Sequence, residues 1–312
     1  PIIVFFSSLM AVLYHLRIMQ VVVWLFGGAI RKTVGTQPVE SLCAAANIFV
    51  GQTEAPLVVR PYLSRLTDPQ LFTIMTTGLA SVSGTVLAAY AQMGIRLEYL
   101  LAAGFMAAPA GLLMAKIILP DGDHDRDTAP VRLFDAETGG HENLIMAAAN
   151  GAQEGVKLAI NIGGMLIAFV SLIALANGLL GGIGGWVGLE DLTLETILGY
   201  LFAPVMYLLA IPWEEATTAG ALFGEKLILN EFVAYLHLGE IQGTLSPRTE
   251  AIVTFALAGF ANLSSIAIQL GGIGTLIPEK RPLIARYGIR AVAAGSLANL
   301  MSAALAGLLI TP

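Results

Sequence analysis

Residues 47–56 read NIFVGQTEAP. Gln52, Thr53 and Glu54 stand inside an otherwise apolar stretch, between Gly51 and Pro56. Whether a carboxylate can sit there depends on the solvent around the stretch, and composition identifies that solvent. Of 312 residues, 56% are hydrophobic and 12% charged, with a mean hydropathy of +0.77. Ordinary soluble domains carry about 25% charged residues. Residues 100–119 contain one charge, Lys116; residues 163–180, 251–270 and 291–310 contain none. Each is close to the roughly 20 residues that a helix needs to cross a hydrocarbon core of about 30 Å. A soluble domain cannot hide so many long apolar helices, so the chain reads as an all-α integral membrane protein.

The sequence begins at Pro1, not Met, and residues 1–16 are already apolar, so the N-terminus reads as cut and a signal segment cannot be judged from it. The single Cys43 excludes an intrachain disulfide and lies in a small-residue run, where it reads as packing. The net charge of −6 says little about partners; the placement of Lys and Arg says more.

After 1–16 comes Arg17, then 18–30, which either continues the span or lies along the interface, closed by Arg31 and Lys32. Residues 42–50 and 55–62 are too short to cross the bilayer at about 1.5 Å per residue, and they flank GQTE. Spans follow at 71–91 and 100–119, then a polar loop at 121–140, a long helix at 144–180 and a glycine-rich run at 181–188. Residues 197–211 are apolar but short and contain Pro204. A second short pair, 216–229 and 232–238, flanks Asn230 and Glu231, with Lys226 expected near its outer base. Spans at 251–270 and 291–310 complete the chain.

Charge placement supports a hairpin at GQTE. If the short pair enters and leaves on one side, and 197–211 lies along the interface, eleven of the 16 Lys/Arg share that side. They are Arg31, Lys32, Arg60, Arg65, Lys116, Arg126, Arg132, Lys280, Arg281, Arg286 and Arg290. Arg96 and Arg248 face the other side; Arg17, Lys157 and Lys226 fall within or near spans. Positive charge marks the cytoplasm, so the first hairpin enters from there and the second from outside. Each hairpin precedes a span with polar residues at mid-depth, LASVSGTVLAAY (79–90) and FANLSSIAIQLGGIG (260–274). Each of those precedes a span rich in small residues. Inverted repeats with two re-entrant helical hairpins and broken transmembrane helices are a signature of secondary transporters.

Non-helical backbone at membrane depth survives only where protein or a water-filled cavity satisfies it. A charged residue at the centre costs at least about 2.5 kcal/mol on insertion scales. Glu54 and Glu231 stand at the two tips. Their bland reading is a cap on a half-helix or a pair with a lysine such as Lys157. Asn47, Ser81, Ser83, Asn262, Ser264 and Ser265 can each back-bond to a helix carbonyl or hold two helices together. Taken together they supply carboxylates, amides and hydroxyls for a small polar ligand. His15, His124, His141 and His237 lack metal spacing. The glycine runs at 181–185 and 271–274 lie outside any strand–helix turn and lack a P-loop lysine. Small-residue clusters at 163–164 and 295–298 read as close helix contacts.

At NIFVGQTEAPLVVRPYL (47–63) the chain resembles a concentrative nucleoside transporter. NEFVAY (230–235) and GFANLSSIAI (259–268) follow in that family's order, and the likeness covers essentially the whole chain. The resemblance implies a transport domain of two inverted repeats held against a scaffold, in a homotrimer of the inner membrane. The corresponding divisions are 1–35 (scaffold helix and interfacial segment), 36–119 (first repeat), 120–143 (cytoplasmic loop), 144–212 (long scaffold helix and interfacial segment) and 213–312 (second repeat). It also implies that Gly51, Gln52, Thr53 and Glu54 bind the nucleobase, with Val86 lining the pocket. Glu231, Asn262 and Ser265 correspond to the ribose site, beside Phe260. A coupling sodium ion falls on Asn47 and Ser81 and the carbonyls of Val50 and Val82. The family's first helices precede Pro1.

The leading expectation is a sodium-driven importer of nucleosides of the uridine, cytidine or adenosine class, with membrane lipid around it and no nucleic-acid partner. Its nearest rival is a proton-coupled symporter of the same fold, with Glu54 or Glu231 carrying the proton. An intramembrane hydrolase using the two glutamates as acid and base, and a channel, are the readings from other classes. Two tips enclosing one pocket suit alternating access better than a pore.

Overall fold

A computed structural model describes residues 1–122, 143–188 and 192–310. Most of the loop expected at 120–143 lies outside the described residues, with Arg126, Arg132, His124 and His141. All regular structure among the described residues is helical.

The chain passes twice through one order of elements. The first pass begins with α1 (Ile2–His15) and α2 (Ile18–Val34), which meet at 83°. Arg17 makes that corner in the left-handed region, at φ 62°. The bend excludes a continuous span through 1–30. Helix α3 (Pro38–Asn47) and the 3-10 segment Ala55–Arg65, kinked at Val59, form the first short pair. A capping box between Gln37 and Glu40 starts α3. Next come α4 (Asp68–Ala80), a break at 81–83, α5 (Gly84–Gln92) and α6 (Leu97–Ile118).

The second pass begins with α7 (Leu144–Val187), then α8 (Leu194–Leu208), which meets α9 (Trp213–Ile228) at 116°. Helices α9 and α10 (Glu231–Glu240) are the second short pair. Helix α11 (Pro247–Leu257) breaks at 258–263 and resumes as α12 (Ser264–Gly271) and α13 (Ile273–Leu276). A 3-10 turn, Pro278–Lys280, leads into α14 (Arg281–Leu309), which starts ten residues before the apolar run at 291–310.

Packing shows that the two passes run in opposite directions. The core has two lobes. One holds α3, the 3-10 segment and α4, with Ala115 near the end of α6 and Ile284 near the start of α14. The other holds α9, α10 and α11, with Leu100 near the start of α6 and Ala303 and Ala306 near the end of α14. The broken helices also cross between lobes in opposite senses. Leu71–Leu79 lie in the first lobe and Val86–Tyr90 in the second, whereas Ile252–Leu257 lie in the second and Ile273–Ile277 in the first. Each hairpin occupies its own lobe, and the breaks lie between them.

Burial separates the centre from an exposed outer wall. The most apolar window of Asp68–Gln92 is 83% buried and that of Leu144–Trp186 only 11%. Helix α7 has 44 residues, about 66 Å at about 1.5 Å per residue, which is longer than a bilayer core is thick. It runs on through the glycines at 181–185. A Cβ on Gly163 or Gly164 would meet nothing within 4 Å inside this chain. Gly151 and Gly155 make close helix contacts within the chain, against Ser7, Ala11 and Val4 of α1. Gly295 does make the expected contact, against Leu79 and Ala261.

Candidate substrate and ion site

The two breaks meet directly. The Phe260 amide, in the second break, donates to the Ser81 carbonyl in the first at 3.1 Å. Each hairpin is tied to the break of its own repeat in the same way. Gly84 N donates to Phe49 O at 3.2 Å, and Leu263 N to Leu227 O at 3.1 Å. These bonds occupy backbone groups that the helix ends leave free. A Cβ on Gly84 would stand 2.9 Å from the Phe49 carbonyl, so the close approach requires glycine there.

The tip of the first hairpin reaches the second repeat. Gln52 Nε2 donates to Ser265 Oγ at 3.3 Å. Thr53 packs on Gly272, and the Glu54 carboxylate folds back over Gly51, 2.5 Å from where a Cβ would stand. Gln52 is buried, Gly51 and Thr53 half-buried, and Glu54 exposed. Val86 is buried in the first turn of α5.

At the second tip the capping role goes to Asn230, whose Oδ1 accepts from Val233 N at 3.0 Å. The neighbouring Glu231 is thereby freed for other contacts. Its Oε1 accepts from Tyr90 OH at 3.0 Å and its Oε2 from Asn262 Nδ2 at 3.4 Å. Asn262 Oδ1 accepts from Ser265 N at 2.9 Å and Ser264 Oγ at 2.8 Å. Glu231, Asn262 and Ser265 thus form one buried cluster, with Phe260 at its edge. Lys157 pairs with Glu154, so it neutralises neither tip. Sequence reading missed Tyr90. It is fully buried, stacked on Tyr235 with ring centroids 4.4 Å apart, and nothing local marks it.

Asn47 is buried on α3. Its Nδ2 lies 3.5 Å from Thr77 Oγ1, one turn before Ser81, and its Oδ1 has no partner. Among the described residues, the Ser81 hydroxyl has only a long contact with Gly78 O, at 3.5 Å. Among the described residues, no backbone N–H donates to the Val50 or Val82 carbonyl. These are neutral oxygens with free lone pairs, the donor set that a hard monovalent cation takes. Ser83 is not part of it; its Oγ caps α5 by accepting from Thr85 N at 3.3 Å.

Lys226 is not at the outer base of the second hairpin. It lies near the tip and is fully buried.

Two family profiles match the chain. One, described as Na+ dependent nucleoside transporter C-terminus, covers residues 99–307, and one described as nucleoside recognition covers 1–97. The chain belongs to the concentrative nucleoside transporter family. It is 51% identical to the nucleoside permease NupC of Helicobacter pylori, over 99% of this chain and 74% of that protein. It is 54% identical to the uncharacterized transporter YutK of Bacillus subtilis, over 99% and 76%. Among solved structures, CNTnw in an inward-facing substrate-bound state superposes with a TM-score of 0.93 at 52% identity, covering 99% of this chain and 73% of that one. Substituted variants of CNTnw have also been solved in outward-facing and intermediate states. This nucleoside transporter is therefore an integral protein of the cell membrane and not an enzyme.

Proposed function

We propose that this transporter imports nucleosides by symport with sodium, and that the meeting point of the two tips and two breaks is the site. The nucleobase edge faces Gly51, Gln52, Thr53 and Glu54, with Val86 beside it. The ribose hydroxyls bond to Glu231, Asn262 and Ser265, with Phe260 packed against the sugar. Sodium takes Asn47 Oδ1, Ser81 Oγ and the carbonyls of Val50 and Val82. The observation that carries this reading is the buried Asn47 Oδ1 without a partner, next to a helix break with unused carbonyls. A buried acceptor left unsatisfied costs about 1–3 kcal/mol, and a bound cation removes that cost.

Ion and substrate share the first hairpin, since Asn47 and Val50 lead into Gly51–Glu54. Sodium then orders the tip that binds the base, which is a coupling free energy between the sites. The outward face of α7 suits lipid and the neighbouring copies of a homotrimer.

Calorimetry of uridine and adenosine binding across a sodium series tests the ion assignment, with choline balancing ionic strength at fixed pH. Sodium should raise nucleoside affinity by roughly 5–150-fold, the usual range of such couplings. Asn47→Ala with Ser81→Ala should flatten that dependence while weaker binding persists. Equal binding without sodium, together with an affinity that follows pH, would replace sodium by the proton.

A further inference from the structure

Lys226 makes no hydrogen bond to the site described above, although it lies within electrostatic reach of Glu231. It is fully buried on α9, five positions before Glu231, and among the described residues it forms no ion pair with a carboxylate. Its Nζ donates to the Ala256 carbonyl at 2.8 Å and to Asn299 Oδ1 at 2.7 Å. Asn299, on α14, donates through Nδ2 to the Ala80 carbonyl at 2.7 Å and the Ala258 carbonyl at 2.9 Å. Carbonyls only accept, so the amide can be placed one way round and Oδ1 must face the lysine.

These contacts have a common origin. Ala80 ends α4, and Ala256 and Ala258 stand at the end of α11. Two helix C-termini, each carrying partial negative charge, therefore converge on the Lys226–Asn299 pair: α11 meets the ammonium directly through the Ala256 carbonyl, and α4 meets it through the Asn299 amide. A buried cation is costly unless its donors are met. Here the charge lies where the two broken helices would otherwise set like dipole ends together. It also lies beside both halves of the site, because Ala80 precedes Ser81 and Ala258 precedes Phe260 by two residues.

The repeats supply the comparison. In the first, Asn47 of the hairpin helix α3 faces α4 where that helix breaks. In the second, the corresponding elements are α9 and the end of α11, and there the chain carries Lys226. We propose that Lys226 is a resident cation, occupying in the second repeat the position that the transported ion takes in the first. The clause about the transported ion rests on the sodium reading above; the role of Lys226 as a fixed cation between two helix ends does not. It follows that this position of the second repeat is closed to an exchangeable cation.

Chemical rescue tests this. Lys226→Ala removes the ammonium and leaves a hole lined by the Ala256 carbonyl and Asn299 Oδ1. Lys226→Met fills the hole with a neutral chain. Uridine and adenosine binding is measured on the purified full chain in saturating sodium, with added ammonium chloride or an equal concentration of choline chloride. Both variants should lose affinity by about tenfold or more, as when a hydrogen-bonded charge is removed. Ammonium should restore most of the loss in Lys226→Ala and none in Lys226→Met. If Lys226→Ala is too unstable to bind, ammonium should raise its melting temperature above the choline value and leave the parent unchanged. Parent-like binding by Lys226→Ala, or a loss that ammonium moves in neither readout, overturns the proposal. A parent protein whose nucleoside affinity ignores sodium would sink the sodium reading alone, because the rescue is scored on nucleoside binding and melting.

Discussion

Gln52 and Ser265 are 213 positions apart in sequence, yet the amide of the first donates to the hydroxyl of the second at 3.3 Å. One belongs to the first hairpin tip and the other to the first turn of α12. The bond therefore joins the base half of the proposed site to its ribose half. A neutral hydrogen bond contributes about 0.5–1.5 kcal/mol, so Gln52→Ala and Ser265→Ala should each weaken nucleoside binding by roughly two- to tenfold or more. Because they share a bond, the double variant should lose less than the product of the two losses. Strictly independent losses, measured by calorimetry, would mean that the halves do not act together.

Glu231 should dominate ribose recognition, with Tyr90 supporting it. Glu231→Gln keeps the shape but removes the charge. Hydrogen bonds to charged groups contribute about 1.5–3 kcal/mol, so affinity should fall by about tenfold or more. Tyr90→Phe removes the phenol that donates to Oε1 and should cost several-fold. In the parent, 2′-deoxynucleosides should bind more weakly than ribonucleosides, since a desolvated partner would be left unpaired. Unchanged uridine binding in Glu231→Gln would remove this residue from the site.

The crossing of the two breaks should be intolerant of volume. A Cβ on Gly259 would overlap Asn299 Oδ1 and stand 2.8 Å from the Ala80 carbonyl. Gly259→Ala should therefore lower both the melting temperature and nucleoside affinity. Gly104→Ala on α6, where a Cβ meets nothing within 4 Å, should be neutral or stabilise by about 0.5–1 kcal/mol through helix propensity. Equal melting temperatures in the two variants would contradict the crossing.

Much of this was legible in sequence, and the gaps share a cause. GQTE and NEF marked both hairpins because a carboxylate at membrane depth has few local explanations. The order of elements gave the inverted repeat, and the polar residues at 81–83 and 262–265 fell at or beside the two breaks. The partners that hold the breaks open were not readable. Asn299 reaches Ala80 across 219 positions, and Tyr90 reaches Glu231 across 141. Lys226 looked like a hairpin base because local reading treats lysine as a surface residue, while its partners come from α11 and α14. Helix α7 passes through Gly181–Gly185 because a glycine weakens an α-helix by only about 1 kcal/mol without ending it.

The hairpins should open to opposite faces of the membrane. Single cysteines replacing Arg60 and Glu214, both exposed at hairpin bases, are compared in a Cys43→Ser background. Cys43 is buried and free, so serine there removes the one competing thiol. An impermeant thiol reagent should label position 60 only from the cytoplasm and position 214 only from outside. Labelling of both from one face would contradict the inverted entry of the hairpins.

Uptake of labelled uridine and adenosine into proteoliposomes tests the central claim most directly, with a sodium gradient and a proton gradient imposed separately. An inward sodium gradient should drive nucleoside accumulation above equilibrium, and an inward proton gradient without sodium should not. The Asn47→Ala, Ser81→Ala variant should lose that accumulation while still equilibrating nucleoside slowly. Accumulation driven by protons in the absence of sodium, or equilibration under both gradients with no accumulation, would contradict sodium symport.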